Sequence, residues 1–290
     1  MPHSRSDRQK PDHTSAAEAV RTLCRTYGIR PSRDRGQNFL LDASVVHAAV
    51  HAGRLAPADR VIEVGGGFGI LTDALLATGA HVTTVELDVR LCDALRRRFR
   101  AKKNFACVHG DFLGWYQQNV PKFAEHPFSV IANLPYSISA FFFRTVLVGG
   151  TVPRQIIVLL QKEVAQRIAA APGDMSALSV LVQCCGKPEV LLDVPRTAFW
   201  PQPEVDSALL AVRNIHPPDA EFSSVMQLAR IAFSGRRKQL HNTLANGLHS
   251  TPNAVERLLR AVNLSPTMRP QELSVADWRR LAGAVQPFEE

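Results

Sequence analysis

The sequence has no long apolar run, no paired-cysteine motif and no leader-like start, and each absence disfavours a class of protein. Apolar runs such as residues 156–160 fall far short of the roughly 20 residues that cross a bilayer. No charged segment followed by an apolar one opens the chain, so we expect no secretory signal. The five cysteines are odd in number and lack C-x-x-C spacing, which disfavours disulfides and zinc. We therefore expect a cytoplasmic protein without a membrane segment or a bound metal.

The chain does have enough apolar content for a core, and its positive charge is unevenly distributed. Of its 290 residues, 46% are hydrophobic and 21% are charged, which argues against wholesale disorder. The net charge is +8. Lys and Arg outnumber Asp and Glu by eight to four in residues 1–36 and by ten to seven in residues 210–290, against sixteen to fifteen between them. A nearly neutral body with basic ends suits contact with a polyanion, but a merely soluble basic surface has the same charge.

Short β-branched runs alternate with helical periodicity through the middle of the chain. We predict strands at residues 60–64, 81–86, 105–109, 128–132, 155–160, 190–194 and 207–212. This alternation indicates βαβ units and a mainly parallel sheet, and a Pro-rich connection lets the last two strands pair antiparallel at an edge. After residue 217 only helical periodicity remains, at residues 223–234, 236–248, 253–261 and 274–285.

The predicted fold class is therefore α/β, a Rossmann-like sheet with an antiparallel edge strand and a small C-terminal all-α domain. We divide the chain into a basic N-terminal extension and helix (residues 1–35), a central domain (36–214) and a helical domain (215–290). Within the first part, residues 1–15 have the polar composition of a disordered tail, and residues 16–27 show helical spacing.

A glycine-rich loop, EVGGGFG at residues 63–69, follows the first strand of this pattern. Without a Cβ, such a loop lets the backbone approach a ligand closely. The dinucleotide fingerprint G-x-G-x-x-G fails, because its third glycine position falls on Ile70 or Thr72. The pattern that is present, E-x-G-x-G-x-G, is that of methyltransferases that bind S-adenosylmethionine.

Two acidic residues follow the next strands at the same edge of the sheet. Glu86 ends the second strand, 21 residues after Gly65, where a carboxylate accepts hydrogen bonds from ribose hydroxyls. Asp111 follows the third strand, placed to accept from an adenine amine, with Phe112 packed on the ring. A lone Asp at a strand end is more often a helix cap. The prediction therefore depends on the glycine loop, Glu86 and Asp111 occurring together.

The tetrapeptide Asn133-Leu134-Pro135-Tyr136 follows the fourth strand. It resembles the [N/D]-[P/L/I]-P-[Y/F] motif of amino-methyltransferases that act on adenine N6, an amine whose lone pair is delocalised into the ring. The Asn133 side-chain oxygen and the Leu134 carbonyl would hold the amine N–H groups. Pro135 would stiffen the backbone, and Tyr136 would stack on the extruded base. An ordinary strand-to-turn junction is the alternative.

A Pro-rich segment, FWPQPEVDS at residues 199–207, precedes the last strand. Its prolines predict a rigid turn that would hold Phe199 over the other face of the base. The alternative is a loop that buries two aromatic side chains.

These motifs occur in the order seen in the ribosomal RNA adenine dimethyltransferases, which the chain resembles over roughly residues 20–285. The same set includes GQNFL at residues 36–40, QKEV at 161–164 and FSGRRK at 233–238. The resemblance is strongest to the small-subunit type. Two residues depart from the family pattern: Gly66 replaces the usual proline, and Arg35 replaces an aromatic residue.

The resemblance implies that S-adenosylmethionine is the cofactor and that small-subunit ribosomal RNA, in the immature 30S subunit, is the partner. It implies dimethylation at N6 of two adjacent adenosines in a hairpin near the 3′ end of 16S RNA, and we expect a monomer. The residues expected to contact the cofactor are Gln37, Asn38, Leu40, Gly65, Gly67, Glu86, Asp111 and Asn133.

Basic residues at the start of the helical domain, Arg236, Arg237 and Lys238, are predicted to bind RNA phosphates. The basic run at residues 96–103 is better explained as a solvated helix end. Three other functions stay open. A large-subunit methyltransferase of the antibiotic-resistance type typically has N-I-P-Y where this chain has Leu134. The others are a non-catalytic RNA-binding factor on the same fold and a dehydrogenase, which the glycine spacing disfavours.

Overall fold

A seven-stranded sheet forms the centre of the fold. The computed structural model describes residues 14–32, 36–235 and 238–285. In chain order its strands are β2 (Arg60–Val64), β3 (His81–Glu86), β4 (Phe105–His109), β5 (Phe128–Asn133), β6 (Gln155–Gln161), β7 (Lys187–Val194) and β9 (Ser207–Arg213). Their order in the sheet is β4-β3-β2-β5-β6-β9-β7. All seven predicted strands are present, and their bounds differ from the prediction by at most three residues.

The direction of the strands agrees with the predicted mainly parallel sheet. Strands β4, β3, β2, β5 and β6 pair in parallel, and β9 pairs antiparallel with both β6 and β7. The last two strands do pair antiparallel at an edge. The reversed strand is β9, one place inside the sheet, while β7 forms the edge itself.

Helices cover both faces of the sheet. In β5, Val130 and Ala132 face one hydrophobic cluster and Ile131 faces the other, because successive side chains of a strand point to opposite sides. The Ile131 side packs against α2 (Ala43–Gly53), α3 (Ile70–Ala77) and α4 (Val89–Arg98). The other side packs against α5 (Phe112–Asn119), α6 (Ser139–Val148), α7 (Lys162–Ile168) and α8 (Ala177–Cys185).

Four helices follow the sheet, as the periodicity predicts: α9 (Phe222–Phe233), α10 (Leu240–Gly247), α11 (Pro252–Ala261) and α12 (Val275–Val285). Trp278 of α12 is fully buried, with its ring 6.0 Å from that of Phe233. These helices share one hydrophobic cluster with α8 and the sheet. The division of the chain at residues 214 and 215 therefore stays a prediction.

Two features differ from the prediction: the start of the N-terminal helix, which was predicted at residues 16–27, and a second, two-stranded sheet. A helix, α1 (Thr14–Thr26), begins two residues earlier than expected, inside the segment assigned to a tail. The strands β1 (Phe39–Leu40) and β8 (Phe199–Trp200) form a separate antiparallel pair, with Leu40 opposite Phe199. None of the helices in the described ranges combines the length and apolar content needed to cross a membrane.

Candidate functional site

A cavity of about 490 Å³ lies at the carboxyl ends of β2, β3 and β5, the edge where open α/β sheets bind ligands. The glycine loop, the ends of three strands and the β1 segment all contribute to its wall. Every predicted cofactor residue lines it: Gln37, Asn38, Leu40, Gly65, Gly67, Glu86, Asp111 and Asn133. Residues from five separate stretches of sequence therefore meet in one place.

The glycine loop adopts a backbone that other residues disfavour. Gly65 and Gly67 have φ angles of 69° and 55°, in the left-handed region. At Gly66, which departs from the family's proline, a Cβ would lie 2.5 Å from Thr84 Cγ2. The methyl group of Thr84 thus occupies the space that any larger residue would need.

Glu86 is buried at the end of β3 and ties the glycine loop to the next turn. Its Oε2 accepts a hydrogen bond from Gly67 N, and its Oε1 accepts one from Asp88 N, each at 3.0 Å. Burial raises the pKa of Glu86, and these two backbone N–H groups act in the opposite direction. A carboxylate has about four acceptor sites, so beside its backbone bonds Glu86 can still accept from a hydroxyl in the cavity.

Asp111 acts as a helix cap, the alternative weighed from the sequence, and it also lines the cavity; its contact with an adenine amine stays a prediction. Its Oδ2 accepts a hydrogen bond of 2.8 Å from Gly114 N in the first turn of α5, which is helix capping. Asp111 is nevertheless exposed to the cavity, next to Gly110 and Phe112. The capped oxygen fixes the carboxylate and leaves Oδ1 for an amine donor.

A second buried acid, Glu63, begins the E-x-G-x-G-x-G motif but was given no role of its own from the sequence. Its Oε2 accepts hydrogen bonds of 2.6 Å from the hydroxyls of both Thr72 and Thr84. Burial raises the pKa of Glu63 to about 7, against the two hydroxyl bonds that lower it. Glu63 therefore links β2, β3 and α3 beneath the glycine loop.

The predicted amine site is built around one side-chain amide. Asn133 Nδ2 donates a hydrogen bond of 3.0 Å to the Asn38 carbonyl oxygen. A carbonyl only accepts, so this bond assigns the nitrogen and leaves Oδ1 as a free acceptor at the cavity. Gly36 packs closely against Pro135, because a Cβ there would lie 3.4 Å from the proline Cα. The 36–40 segment and the 133–136 tetrapeptide are therefore in direct contact.

The other residues of the predicted acceptor site differ in how far their side chains are exposed to the cavity. Pro135 lines the cavity. The Tyr136 hydroxyl bonds Ser207 Oγ at 2.6 Å, which anchors its half-buried ring to the start of β9. The Leu134 side chain is buried, and its amide donates to Leu159 O at 3.0 Å. The Phe199 side chain is also buried and packs in the cluster that holds α2 and α3. Stacking by Tyr136 and Phe199 stays a prediction.

Comparison with protein families gives one match that covers most of the chain. The model of ribosomal RNA adenine dimethylases matches residues 30–286. The chain belongs to this family. Curated relatives agree with the assignment. Proteins named ribosomal RNA small subunit methyltransferase A from Dehalococcoides mccartyi and Geobacillus thermodenitrificans are 37% and 35% identical to it. These alignments cover 88% and 95% of this chain, and 88% and 99% of the relatives.

Solved structures of similar proteins share the fold. The 23S rRNA methyltransferase ErmE superposes with a TM-score of 0.68 and 26% identity, covering 86% of this chain and all of that one. A dimethyladenosine transferase from Plasmodium falciparum superposes with a TM-score of 0.70 at 22% identity, over 86% of this chain and 98% of that one. The mostly parallel methyltransferase sheet predicted from the sequence is thereby confirmed.

Helix α1 closes one side of the cavity in this family member, which sequence reasoning missed. Ala16, Ala19, Val20 and Leu23 line the cavity. The helix also contacts β8, since the Arg21 guanidinium lies 5.6 Å from the centre of the Trp200 ring. The apolar spacing at residues 19, 20 and 23 was the available signal, but spacing alone does not say which surface a helix covers.

The predicted RNA-binding residues are only partly described. Arg236 and Arg237 lie outside the described residues. Lys238 is exposed between α9 and α10, and its backbone N–H donates to Gly235 O at 2.8 Å. Its side chain is therefore placed on the surface of the helical region, and phosphate binding there stays a prediction.

Proposed function

We propose that the chain transfers methyl groups from S-adenosylmethionine to the N6 amine of adenosines in small-subunit ribosomal RNA. The expected product is N6,N6-dimethyladenosine at two adjacent adenosines in a hairpin near the 3′ end of 16S RNA. The observation that carries the proposal is the Asn133–Asn38 hydrogen bond, which leaves an amide oxygen as acceptor at the cavity. Family membership supports the same substrate class.

The cavity residues fit S-adenosylmethionine by their chemistry. Glu86, buried at a strand end, would accept from the ribose hydroxyls, and Asp111 Oδ1 would accept from the adenine amine. The glycine loop lets the backbone approach the amino-acid part of the ligand. When bound, S-adenosylmethionine supplies a methyl group already activated by its sulfonium, so no metal is needed.

The acceptor residues would position the substrate amine. Asn133 Oδ1 and the Leu134 carbonyl would accept its two N–H groups, which favours a tetrahedral nitrogen with its lone pair directed at the methyl group. No hydrogen bond to the Leu134 carbonyl is found within the described part of the chain. Pro135 fixes the direction of that carbonyl, and Tyr136, anchored through Ser207, would offer its ring to the base.

A second candidate is methylation of large-subunit RNA, favoured by the structural similarity to ErmE. The test is to incubate the chain with labelled S-adenosylmethionine and either unmethylated 30S particles or protein-free 23S RNA. Mass spectrometry of the nucleosides then identifies the product. We expect dimethyladenosine from the 30S particles only. Label in 23S RNA alone would favour the second candidate, and RNA binding without transfer would favour a non-catalytic factor.

The proposed substrate also suggests the compartment and the partner of the chain. We propose that the chain acts in the cytoplasm, as a monomer, on immature 30S subunits during their assembly. Light scattering of the purified chain tests the monomer, and sedimentation with 30S subunits from cells lacking the protein tests the partner. Preferential binding to mature, fully methylated subunits would contradict the assembly role.

A further inference from the structure

Helix α6 exposes a phenylalanine whose position the fold does not explain. Phe141 is 64% exposed, the highest value among the exposed large apolar side chains of the described residues. Its neighbours Phe142 and Phe143 are completely buried. Leaving such a side chain in water forgoes the favourable free energy of burying its apolar surface. A ring held on the surface by two buried neighbours is therefore a candidate contact for a partner.

The same face of the helix carries a positive charge. Arg144 and Val148 are three and seven residues after Phe141, so all three lie on one side of α6, and Val148 is also 39% exposed. We call these three residues the α6 outer face. Arg144 is exposed and has no ion pair within the described ranges. The helix itself contains no acidic residue.

The surrounding segment is depleted of negative charge. No Asp or Glu occurs between Glu125 and Glu163, whereas the segment contains the cations Arg144, Arg154 and Lys162. Arg154 pairs with Asp59 at 3.0 Å, and Lys162 pairs with Asp193 at 2.7 Å. Of these three cations, Arg144 is the one that forms no ion pair with a carboxylate of the described residues. An uncompensated cation beside an exposed ring suits a polyanion that carries aromatic groups.

The α6 outer face also lies next to the amine site. Helix α6 begins at Ser139, directly after the turn Tyr136–Ile138 that continues the acceptor tetrapeptide. Ser137 and Ile138 line the cavity, and Phe141 follows them by one helical turn. A strand of RNA that places one base in the cavity would have its neighbouring nucleotides within reach of this helix.

We propose that the α6 outer face binds the unpaired RNA beside the target adenosine. Phe141 stacks on a flanking base, and Arg144 contacts a phosphate. The inference rests on the proposed function, since it assumes that the substrate is RNA. It adds a binding surface on the sheet domain, separate from the predicted basic residues of the helical region.

The test uses a fluorescent RNA hairpin that carries two adjacent adenosines in its loop. We expect Phe141→Ala to weaken binding by about 5- to 150-fold, the range for loss of one stacked base, and Phe141→Tyr to stay within about twofold. Arg144→Gln should weaken binding and reduce the slope of log affinity against log salt by about 0.7, as expected for one phosphate of a single strand. The Phe141→Ala slope should equal that of the unaltered chain.

Matched controls separate this surface from general effects. Leu192→Ala removes an exposed apolar side chain from edge strand β7, and Arg97→Gln removes an exposed cation from α4 on the opposite face of the sheet. Both should bind RNA like the unaltered chain. In turnover assays, Phe141→Ala should raise the KM for RNA while the Kd for S-adenosylmethionine and the kcat at saturating RNA are unchanged.

The outcomes distinguish the two proposals. If the unaltered chain methylates RNA and Phe141→Ala binds and turns over equally well, the α6 surface is refuted and the proposed function stands. If the unaltered chain transfers no methyl group, the proposed function falls, and the RNA affinity of Phe141→Ala still decides the surface. If Phe141→Ala abolishes self-association of the chain without changing RNA affinity, the occupant is a second copy and the RNA proposal is wrong.

Discussion

The amide nitrogen of Asn133 is bonded to the carbonyl oxygen of Asn38 at 3.0 Å, although 95 residues separate them in the chain. This bond joins the segment expected to hold the methyl donor to the residue expected to hold the acceptor. It fixes the amide plane and directs Oδ1 away from Asn38. This bond and the packing of Gly36 against Pro135 therefore set the position of the 36–40 segment relative to the end of β5.

Replacing Asn133 with Ala should lower the kcat for methyl transfer by about 100- to 1000-fold, the range for loss of one positioned polar group in an active site. The affinity for RNA should stay within about twofold, because in the proposed mechanism Asn133 contacts the RNA only through Oδ1 at the reacting amine, while its Nδ2 is bonded to Asn38. The measurement is single-turnover transfer from labelled S-adenosylmethionine.

Asn104→Ala is the matched control. The Asn104 amide also donates to a backbone carbonyl, Ala80 O at 2.7 Å, but it does not line the cavity. This variant should keep the kcat of the unaltered chain after correction for any lost stability. Undiminished transfer by Asn133→Ala would remove Asn133 from the amine site.

Replacing Glu86 with Ala should weaken S-adenosylmethionine binding by at least about tenfold, because one hydrogen bond to a charged group contributes about 1.5–3 kcal/mol. RNA affinity should change less. Calorimetry with S-adenosylhomocysteine measures the effect without turnover, and Glu189→Ala on edge strand β7 is a matched exposed control. A larger loss of RNA affinity than of ligand affinity would exclude the ribose role.

The sequence predicts this sheet well because its strands carry their signal locally. The strands at 60–64, 81–86 and 105–109 have the predicted bounds, since a short β-branched run between turn residues needs no distant partner to be recognised. The motifs at strand ends then predict the lining of the cavity, because parallel strands bring their carboxyl ends to one edge.

Features that depend on distant contacts were missed. Strand β1 has two residues and exists only because residues 199–200 lie beside it. Burial of Phe199 follows from the same pairing, and the sequence alternative of a loop that buries aromatics describes its observed position. The Asn133–Asn38 bond and the place of α1 likewise depend on tertiary packing, which periodicity does not encode.

Glu63 predicts a pH dependence of stability. Burial raises its pKa from 4.5 to about 7, so the folded state holds the proton more tightly than the unfolded state. Glu63 therefore makes its full contribution to the free energy of unfolding below about pH 4.5, and that contribution is lost as the pH rises through about 7. Glu63→Gln keeps a neutral acceptor for both threonine hydroxyls. The variant should gain stability relative to the unaltered chain between pH 5 and pH 8, by at most about 3 kcal/mol.

Urea unfolding of both proteins at pH 5 and pH 8 measures this gain. Glu189→Gln, an exposed carboxylate on β7, should show no comparable difference. A Glu63→Gln effect of equal size at both pH values would mean that Glu63 is ionised in the folded state.

Gly66→Ala should lower the free energy of unfolding by about 1–3 kcal/mol, the usual cost of inserting a methyl group into a packed interior. The cause is the Thr84 methyl group, 2.5 Å from the position of the new Cβ. Gly283→Ala is the control, because that helical glycine of α12 has no atom within 4 Å of its Cβ position and should become more stable. Equal effects at both sites would contradict the packing argument.

Because α1 lines the cavity, a substitution in this helix can block the cavity without altering any polar group. Ala16 lines the cavity, so the indole ring of Ala16→Trp would fill space that the ligand needs. We expect this variant to bind S-adenosylhomocysteine at least about tenfold more weakly, a loss of at least about 1.4 kcal/mol. Thr22→Trp adds the same ring to an exposed position of the same helix that does not line this cavity, and its ligand affinity should be unchanged. Equal affinities of the two variants would show that α1 does not enclose the bound ligand.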